Sequence, residues 1–135
     1  MMNNFDITAI EDNIISILQG LNISKKIYPN RPKASESTTD FVVVMVSSDV
    51  VDRSAFGECM VSIYLFAKDV NNIKNGKKLS AMYRKFVEGF PASSDKYLYD
   101  IRPDIGRDIP DDYGFHRRLI RVQTTIKAIW YGNID

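Results

Sequence analysis

Apolar residues recur at three- and four-residue steps in two stretches of the chain, and this period predicts two amphipathic helices. The stripe of the first helix contains Ile10, Ile14, Ile17, Leu18 and Leu21. The apolar side of the second helix contains Ile73, Leu79, Met82, Tyr83, Phe86 and Val87. Each stripe needs an apolar surface to cover it, so both helices are expected to pack on a sheet.

Polar residues and glycines mark the expected ends of these helices. Thr8 and Glu11 have the spacing of a capping box, in which a hydroxyl and a carboxylate accept backbone N–H groups of the first turn. Gly20 is placed to end the first helix in a left-handed conformation. Asp69 or Asn71 is expected to cap the second helix. These signals predict that two loops separate the helices from the strands beside them.

Continuous or alternating apolar residues predict five strands. Residues 26–28 precede two prolines and are expected to form a short edge segment. Residues 41–46 are an uninterrupted apolar run, which is typical of a strand covered on both faces. Residues 58–67 alternate and predict a long strand with a mixed outer face. Residues 96–101 and 115–131 predict the last two strands.

The order of elements is helix, short strand, strand, strand, helix, strand, strand. Consecutive strands joined by loops too short for a crossover helix are expected to pair antiparallel. The predicted fold class is α+β, a two-layer structure with a mainly antiparallel sheet of four to five strands and two helices packed on one face. No repeat or linker divides the sequence, so residues 1–135 are expected to form a single domain.

Composition narrows the function classes. The chain has 135 residues, 18 Lys and Arg against 17 Asp and Glu, one Cys and one His. One Cys cannot form an internal disulfide, and one Cys with one His cannot complete a usual zinc site. A net charge of +1 supplies no strong field for nucleic acid or an anionic membrane. No leader or membrane span is evident, so the chain is expected to be neither secreted nor membrane-bound.

The single histidine and the single cysteine do not suggest catalysis. His116 stands beside Arg117 and Arg118, whose charges disfavour its protonation, and no nucleophile motif surrounds it. It is expected to be a partly exposed residue at the start of a strand. Cys59 lies on the apolar side of its strand and is expected to be buried and inert. No catalytic residue, metal ligand or cofactor is therefore predicted, and the chain is not expected to be an enzyme.

An acidic, proline-containing loop over residues 103–114 is the main candidate for cation binding. Its carboxylates are Asp104, Asp108, Asp111 and Asp112. Their spacing lacks the ligand pattern of an EF-hand, and Arg102 and Arg107 neutralise part of the charge. A solvated or interface-forming loop is the favoured interpretation. An enzyme that combines this loop with His116 is an open alternative.

Basic residues are concentrated in the second part of the chain, since residues 1–70 carry −3 and residues 71–135 carry +4 by the printed sequence. They are found on the basic helix, residues 74–85, and at Arg117, Arg118 and Arg121. One alternative function is therefore a small nucleic-acid-binding module that uses this helix, with Lys77 and Lys78, and the three arginines. The same charge division also suits a contact between subunits.

The order of elements resembles the tail terminator and tail completion proteins of long-tailed bacteriophages, which join the tail to the head. The resemblance covers the opening helix, the short strand that runs into prolines at 26–32, the strand 41–46, the long strand 59–67, the helix around 79–87 and the closing strand entered through 113–117. The long acidic loop departs from the family pattern.

This resemblance implies a tail terminator-like, non-enzymatic subunit of a phage or prophage tail. Such a subunit forms a homo-oligomeric ring, commonly a hexamer, that ends the tail tube and contacts tail-tube and head-connector proteins. Nucleic acid would enter only as DNA passing through the lumen of the ring. The protein would occupy the cytoplasm of the bacterial host during assembly and the virion tail afterwards.

Contacts between subunits are expected from strand edges and from the loops 47–54 and 103–114. The candidate interface residues are Asp49, Asp52, Arg53, Asp104, Arg107, Asp108, Asp111, Asp112, Arg117 and Arg118.

Overall fold

The structure of the protein is a computed structural model that describes residues 6–30, 32, 38–102 and 106–127. In these residues two helices and eight strands follow one another. The helices are α1 (Ile7–Gln19) and α2 (Gly76–Glu88). The strands are β1 (Ile27–Tyr28), β2 (Asp40–Val46), β3 (Val51–Asp52), β4 (Gly57–Lys68), β5 (Ala92–Ser93), β6 (Tyr97–Ile101), β7 (Asp108–Asp111) and β8 (Phe115–Ile126).

The two longest strands form the centre of the sheet. β4 and β8 pair antiparallel over 12 residues each, from Gly57 opposite Ile126 to Lys68 opposite Phe115. The order across the sheet is β1-β2-β4-β8-β6-β5, with β3 beside β4 and β7 beside β8. β1 runs parallel to β2, whereas the other named pairs are antiparallel. The sheet is therefore mixed and curled, and strand makes up 42% of the structure.

The predicted sheet of four to five strands is wrong, because eight strands pair within the described residues. The three strands that the pattern did not predict are β3, β5 and β7, each two to four residues long. β3 and β7 lie inside the segments 47–54 and 103–114, which polar composition marks as loops. Strands this short cannot display the two-residue alternation on which strand prediction depends. They form because pairing with a neighbouring strand satisfies their backbone groups.

The parallel pairing of β1 and β2 also differs from the expected antiparallel arrangement. Ile27 lies opposite Val42 and Tyr28 lies opposite Val43. Parallel neighbours ordinarily need a long crossover connection. Residues 29–39 separate β1 from β2 in the sequence, and this separation is compatible with parallel pairing because β1 pairs over two positions only.

Both helices pack on the same face of the sheet and bury one apolar core. Their buried residues are Ile10, Ile14 and Leu18 of α1 and Leu79, Met82 and Phe86 of α2. The core residues that β4 and β8 supply include Val61, Ile63, Leu65, Ile120 and Val122. All of these side chains are at most 1% exposed. Their burial is the main apolar contribution to the stability of the fold.

A second, smaller cluster lies on the opposite face of the sheet. The rings of Phe41 and Phe66 stack with their centroids 4.3 Å apart, and Phe115 meets Phe41 edge-on at 5.3 Å. Val43 completes the buried set. β2 is therefore buried on both faces from Phe41 to Val44, as its uninterrupted apolar run predicts.

The predicted helix ends are wrong in detail. Asp6, rather than Thr8, caps α1, because its carboxylate accepts the Thr8 N–H at 2.9 Å. Gly20 ends α1 with a φ of −73°, so its conformation is right-handed. Asn75, rather than Asp69 or Asn71, caps α2 by accepting the Lys78 N–H at 3.1 Å.

The later start of α2 has a local cause. Val70 and Ile73 form an isolated β-bridge, and Asn71 and Asn72 between them have φ values of 54° and 64°. Asparagine tolerates this left-handed conformation better than other residues with side chains. The turn interrupts the helix, so α2 cannot begin before its Asn75 cap.

Candidate functional site

His116 lies beside a carboxylate of its own chain, and Cys59 is buried in the apolar core. The Nδ1 atom of His116 lies 2.7 Å from the Asp69 Oδ1 atom, and the histidine side chain is 18% exposed. The ring is therefore within hydrogen-bond distance of a carboxylate from the loop after β4, a neighbour that the sequence pattern did not indicate. Cys59 is 3% exposed, and burial raises the pKa of its thiol to about 11. The reactive thiolate is accordingly disfavoured at neutral pH.

Asp108 and Arg118 form a largely buried ion pair. The Nε and Nη2 atoms of Arg118 donate to the two carboxylate oxygens of Asp108 at 2.6 and 3.0 Å. Lys74 adds a contact at 3.2 Å. The Asp108 side chain is 5% exposed and the Arg118 side chain 17%. Both side chains are largely buried and bind each other within the chain, and their role in a subunit interface stays a prediction.

The β7–β8 hairpin carries or adjoins four further candidate residues: Arg107, Asp111, Asp112 and Arg117. Arg117 lies 3.4 Å from the Asp111 carboxylate, and its guanidinium carbon lies 5.2 Å above the centre of the Tyr64 ring. Arg107 and Asp112 are exposed. Asp104 lies outside the described residues. Residues 108–111 of this segment are consequently part of the sheet, and exposed side chains remain on β7 and in the β7–β8 turn.

In the segment 47–54, the candidate residues Asp52 and Arg53 lie on the β3–β4 hairpin, and Asp49 precedes it. Arg53 donates to the Glu58 carboxylate at 2.8 Å, and Asp52 accepts the Ser54 N–H at 2.8 Å. Asp49 is exposed. The hairpin adjoins Gly57, the first residue of β4, whereas the β7–β8 turn adjoins Phe115, which lies opposite the last residue of β4. The two predicted interface segments therefore lie at opposite ends of the central strand pair.

Strand edges are poorly suited to the contacts predicted for them. β1 pairs with β2 over two residues, and the Glu11 carboxylate accepts the Val46 N–H of β2 at 2.9 Å. β5 and β7 have two and four residues, and β7 contains Pro110. Short strands, proline and a covered N–H group are ordinary means of preventing edge pairing. Subunit contacts are better sought on side-chain surfaces.

Six of the eight exposed large apolar side chains in the described residues are grouped at the same two ends, whereas Ile7 lies on α1 and Met45 on β2. Four of them lie on the loop after β4 and on the β7–β8 hairpin, and we call this set the turn patch: Val70, Ile73, Ile109 and Tyr113. Two lie on the β3–β4 hairpin, and we call this set the hairpin patch: Val51 and Phe56. Contiguous exposed apolar groups commonly mark interaction sites.

The turn patch is held together by backbone contacts. The Asp69 N–H donates to the Gly114 carbonyl at 2.8 Å, which places the loop after β4 beside the β7–β8 turn. Tyr113, which is 56% exposed, has a φ of 63°. A bulky residue rarely adopts that conformation, and such strain is concentrated at functional positions. Ile73 is 68% exposed, the largest value among the exposed large apolar residues of the described chain.

Sequence reasoning missed the turn patch because it assigned Ile73 to the apolar side of α2. The pair Asn71 and Asn72 is the signal that could have corrected this, since adjacent asparagines favour a left-handed turn. A turn at that position places Val70 and Ile73 before the helix and outside the core.

The basic residues of the alternative nucleic-acid module do not form one surface. Successive residues of β8 point to opposite faces, so Arg117 and Arg121 lie on the outer face while Arg118 lies on the helix face. Arg118 and Lys74 bind Asp108. The predicted set is thus divided between two faces, which disfavours a single binding surface built from it.

Within the residues that the structure describes, no group of three or more His, Cys, Asp or Glu side chains could hold a metal ion. No helix in the described ranges has the length and apolar character needed to cross a membrane. No known family model matches the sequence, and no curated protein matches it.

Proposed function

We propose that this chain is a structural subunit of a phage or prophage tail that assembles head-to-tail into a ring, hexameric by preference. The ring ends the tail tube and joins it to the head connector. The subunit folds in the cytoplasm of the bacterial host and takes its place in the virion tail, where DNA passes through the lumen of the ring. The order of elements, which resembles tail terminator proteins, supports this proposal.

The observation that carries the proposal is the presence of two different apolar patches at opposite ends of the β4–β8 pair. A strand of 12 residues spans roughly 40 Å, so the patches are far apart on one molecule. Two unlike patches at opposite ends suit a heterologous contact, in which one end of a subunit meets the other end of the next. Such contacts close into a ring when the rotation between neighbours divides a full turn.

The first experiment measures the oligomeric state by sedimentation over a range of protein concentrations. Ile73→Asp in the turn patch and Phe56→Asp in the hairpin patch should each reduce assembly at least tenfold in apparent affinity. A buried interfacial charge without a partner is strongly unfavourable. Ile7→Asp is the matched control, since Ile7 is 47% exposed on α1 and lies outside both patches.

Mixing the variants distinguishes a head-to-tail contact from a symmetric one. Each variant retains one intact patch, so a mixture of Ile73→Asp and Phe56→Asp proteins should form heterodimers and nothing larger. A symmetric contact joins two copies of the same patch. The two variants would then form no heterodimer, because neither patch is intact in both of them.

The second experiment adds the protein to polymerising tail-tube subunits and measures tube length by electron microscopy. Wild-type protein should bind tube ends and shorten the tubes, whereas Ile73→Asp should not. A protein that remains monomeric at all concentrations, and neither binds nor shortens tail tubes, would refute the proposal.

A further inference from the structure

A cleft of about 670 Å³ lies on the helix side of the molecule. None of the residues that line it belongs to the turn patch or to the hairpin patch. Its walls come from the end of α1, the segment that follows it, the start of β2 and one side of α2. The residues that line it are Gln19, Asn22, Ile23, Ser24, Lys25, Lys26, Thr39, Asp40, Lys78 and Lys85. We call it the lysine cleft. Its volume is in the range typical of small-molecule sites.

Four ammonium groups line this cleft against one carboxylate among the described lining residues, that of Asp40. Asp40 already accepts hydrogen bonds from the Ser24 and Thr39 hydroxyls, and its carboxylate lies 3.2 Å from the Lys78 Nζ atom. The lining therefore carries a charge of about +3, which an anionic ligand would offset.

The remaining lysines lack a carboxylate in their described contacts. Lys26 donates to the Thr38 hydroxyl at 3.3 Å, and Lys85 donates to the Asn22 carbonyl at 3.1 Å. Both acceptors are neutral, so they hold the ammonium groups in place without cancelling their charge. Lys25 is exposed at the rim. The fold thus brings together lysines that are about 60 residues apart in sequence, from the segment after α1 and from α2.

We propose that the lysine cleft binds the phosphate groups of an anionic ligand. Lysine is a compact donor that binds phosphate as a point charge, and the lining contains no arginine for paired hydrogen bonds to a carboxylate. It also contains no aromatic side chain on which a base could stack. Recognition is therefore directed to phosphate and is independent of the base. The ligand is either a free phosphoanion or a phosphodiester backbone, and these share the same chemistry.

The experiment uses two probes, a fluorescent single-stranded oligonucleotide followed by anisotropy and inorganic pyrophosphate followed by calorimetry. Four phosphate contacts predict a slope of about −3 for log affinity against log salt with single-stranded nucleic acid. Lys25→Gln combined with Lys85→Gln should reduce that slope to about −1.5 and weaken binding by about tenfold or more at low salt.

The matched control is Lys77→Gln combined with Arg84→Gln, which removes the same charge from exposed positions of α2 that do not line the cleft. Measured at about 0.15 M salt, where the Debye length is about 8 Å, it should weaken binding by about twofold at most, since these side chains do not line the cleft. Circular dichroism checks that both variants are folded. If the cleft double variant does not fold, Lys25→Gln alone serves as the test variant, because Lys25 is exposed and its replacement should not disturb the fold. It should weaken binding about threefold.

The two probes separate the sources of the phosphate. Binding of pyrophosphate that the cleft variant loses indicates a free phosphoanion, whereas oligonucleotide binding without pyrophosphate binding indicates a phosphodiester backbone. The proposal is overturned if the cleft variant and the control lose equal affinity, or if neither probe binds. It is also overturned if poly-glutamate of matched charge binds as tightly as the oligonucleotide, which would indicate an acidic protein partner.

Discussion

Arg118→Ala should lower the free energy of unfolding by about 3 kcal/mol. Arg118 makes two hydrogen bonds to the Asp108 carboxylate, and hydrogen bonds to charged groups contribute roughly 1.5–3 kcal/mol each. Removing one partner of a buried ion pair costs about 3–5 kcal/mol. Lys74, whose side chain is 50% exposed, remains 3.2 Å from Asp108 and retains part of the stabilisation. The lower end of the range is therefore expected.

Urea denaturation measures this change as a shift of the midpoint at constant slope. Arg53→Ala is the control, because Arg53 binds Glu58 on the surface with its side chain 54% exposed. Exposed pairs contribute at most about 1 kcal/mol. The reasoning is refuted if both variants lose the same small amount of unfolding free energy, since Arg118 would then contribute no more than an exposed arginine. Oligomerisation of folded Arg118→Ala protein should match wild type, because this arginine binds within its own chain.

The same pair determines how stability changes with acid. Hydrogen bonding to Arg118, with the further contact from Lys74, holds the pKa of Asp108 below its usual value of 3.8. The native state then binds fewer protons than the unfolded state in acid, so this contribution is present above about pH 4 and is lost as the pH falls through the native pKa. The difference in stability between wild type and Arg118→Ala should narrow from about pH 5 to about pH 2. If the difference in stability between the two proteins stays constant over this pH range, the pair of Asp108 and Arg118 is not the cause of the acid dependence.

Three further changes test the edge, the core and the thiol. Glu11→Ala should destabilise the fold by about 1 kcal/mol and increase light scattering on storage, because it uncovers the Val46 N–H at the edge of β2. Thr124→Val should raise the free energy of unfolding by about 1 kcal/mol, because the Thr124 hydroxyl is fully buried and has no hydrogen-bond partner in the described residues. The urea midpoint should rise accordingly, and an unchanged midpoint would argue against this expectation. Cys59 should react with a disulfide reagent at about pH 8 only as fast as the protein opens, so its labelling rate should rise in destabilised variants.

The long elements of the fold could be predicted because each buries enough residues to show a period. α1 repeats its apolar residues over three turns, and β4 and β8 alternate over most of their length. The run in β2 announces burial on both faces. In all of these elements the pattern is set by the core itself, so it can be read without knowing which strands are neighbours.

The short strands could not be predicted, since their existence depends on a partner elsewhere in the chain. β3 contains Val51 and Asp52, both exposed, and it forms because Gly57 and Glu58 lie opposite. β7 contains Pro110 and forms beside Phe115 to Arg118. Neither segment has an apolar face of its own. These segments form strands because pairing with an adjacent long strand outweighs their weak propensity for strand. Their local sequence indicates only the propensity and does not indicate the partner.

The caps were mistaken for a related reason. Thr8 and Glu11 fit a capping box, yet Asp6 lies two residues earlier and takes the first N–H. Glu11 then reaches across to Val46 and covers the edge of β2. The Glu11 carboxylate could accept an N–H group of its own helix or of a neighbouring strand. It accepts the N–H of the strand because Asp6 already caps the helix. That choice cannot be seen in a window of a few residues.

The candidate interface shows what charge patterning can and cannot indicate. The two segments with many charged residues were predicted as interface loops, which stays a prediction, and the structure places them at opposite ends of the central strands. Several of the charges are nevertheless bound within the chain, among them Asp108 with Arg118 and Arg53 with Glu58. A charge with a partner in its own subunit gives little to a second subunit, since breaking one pair to form another is nearly neutral. The driving force for the proposed ring must therefore come from the apolar side chains that the same segments expose, and the charges would determine only which orientations of the two ends are compatible.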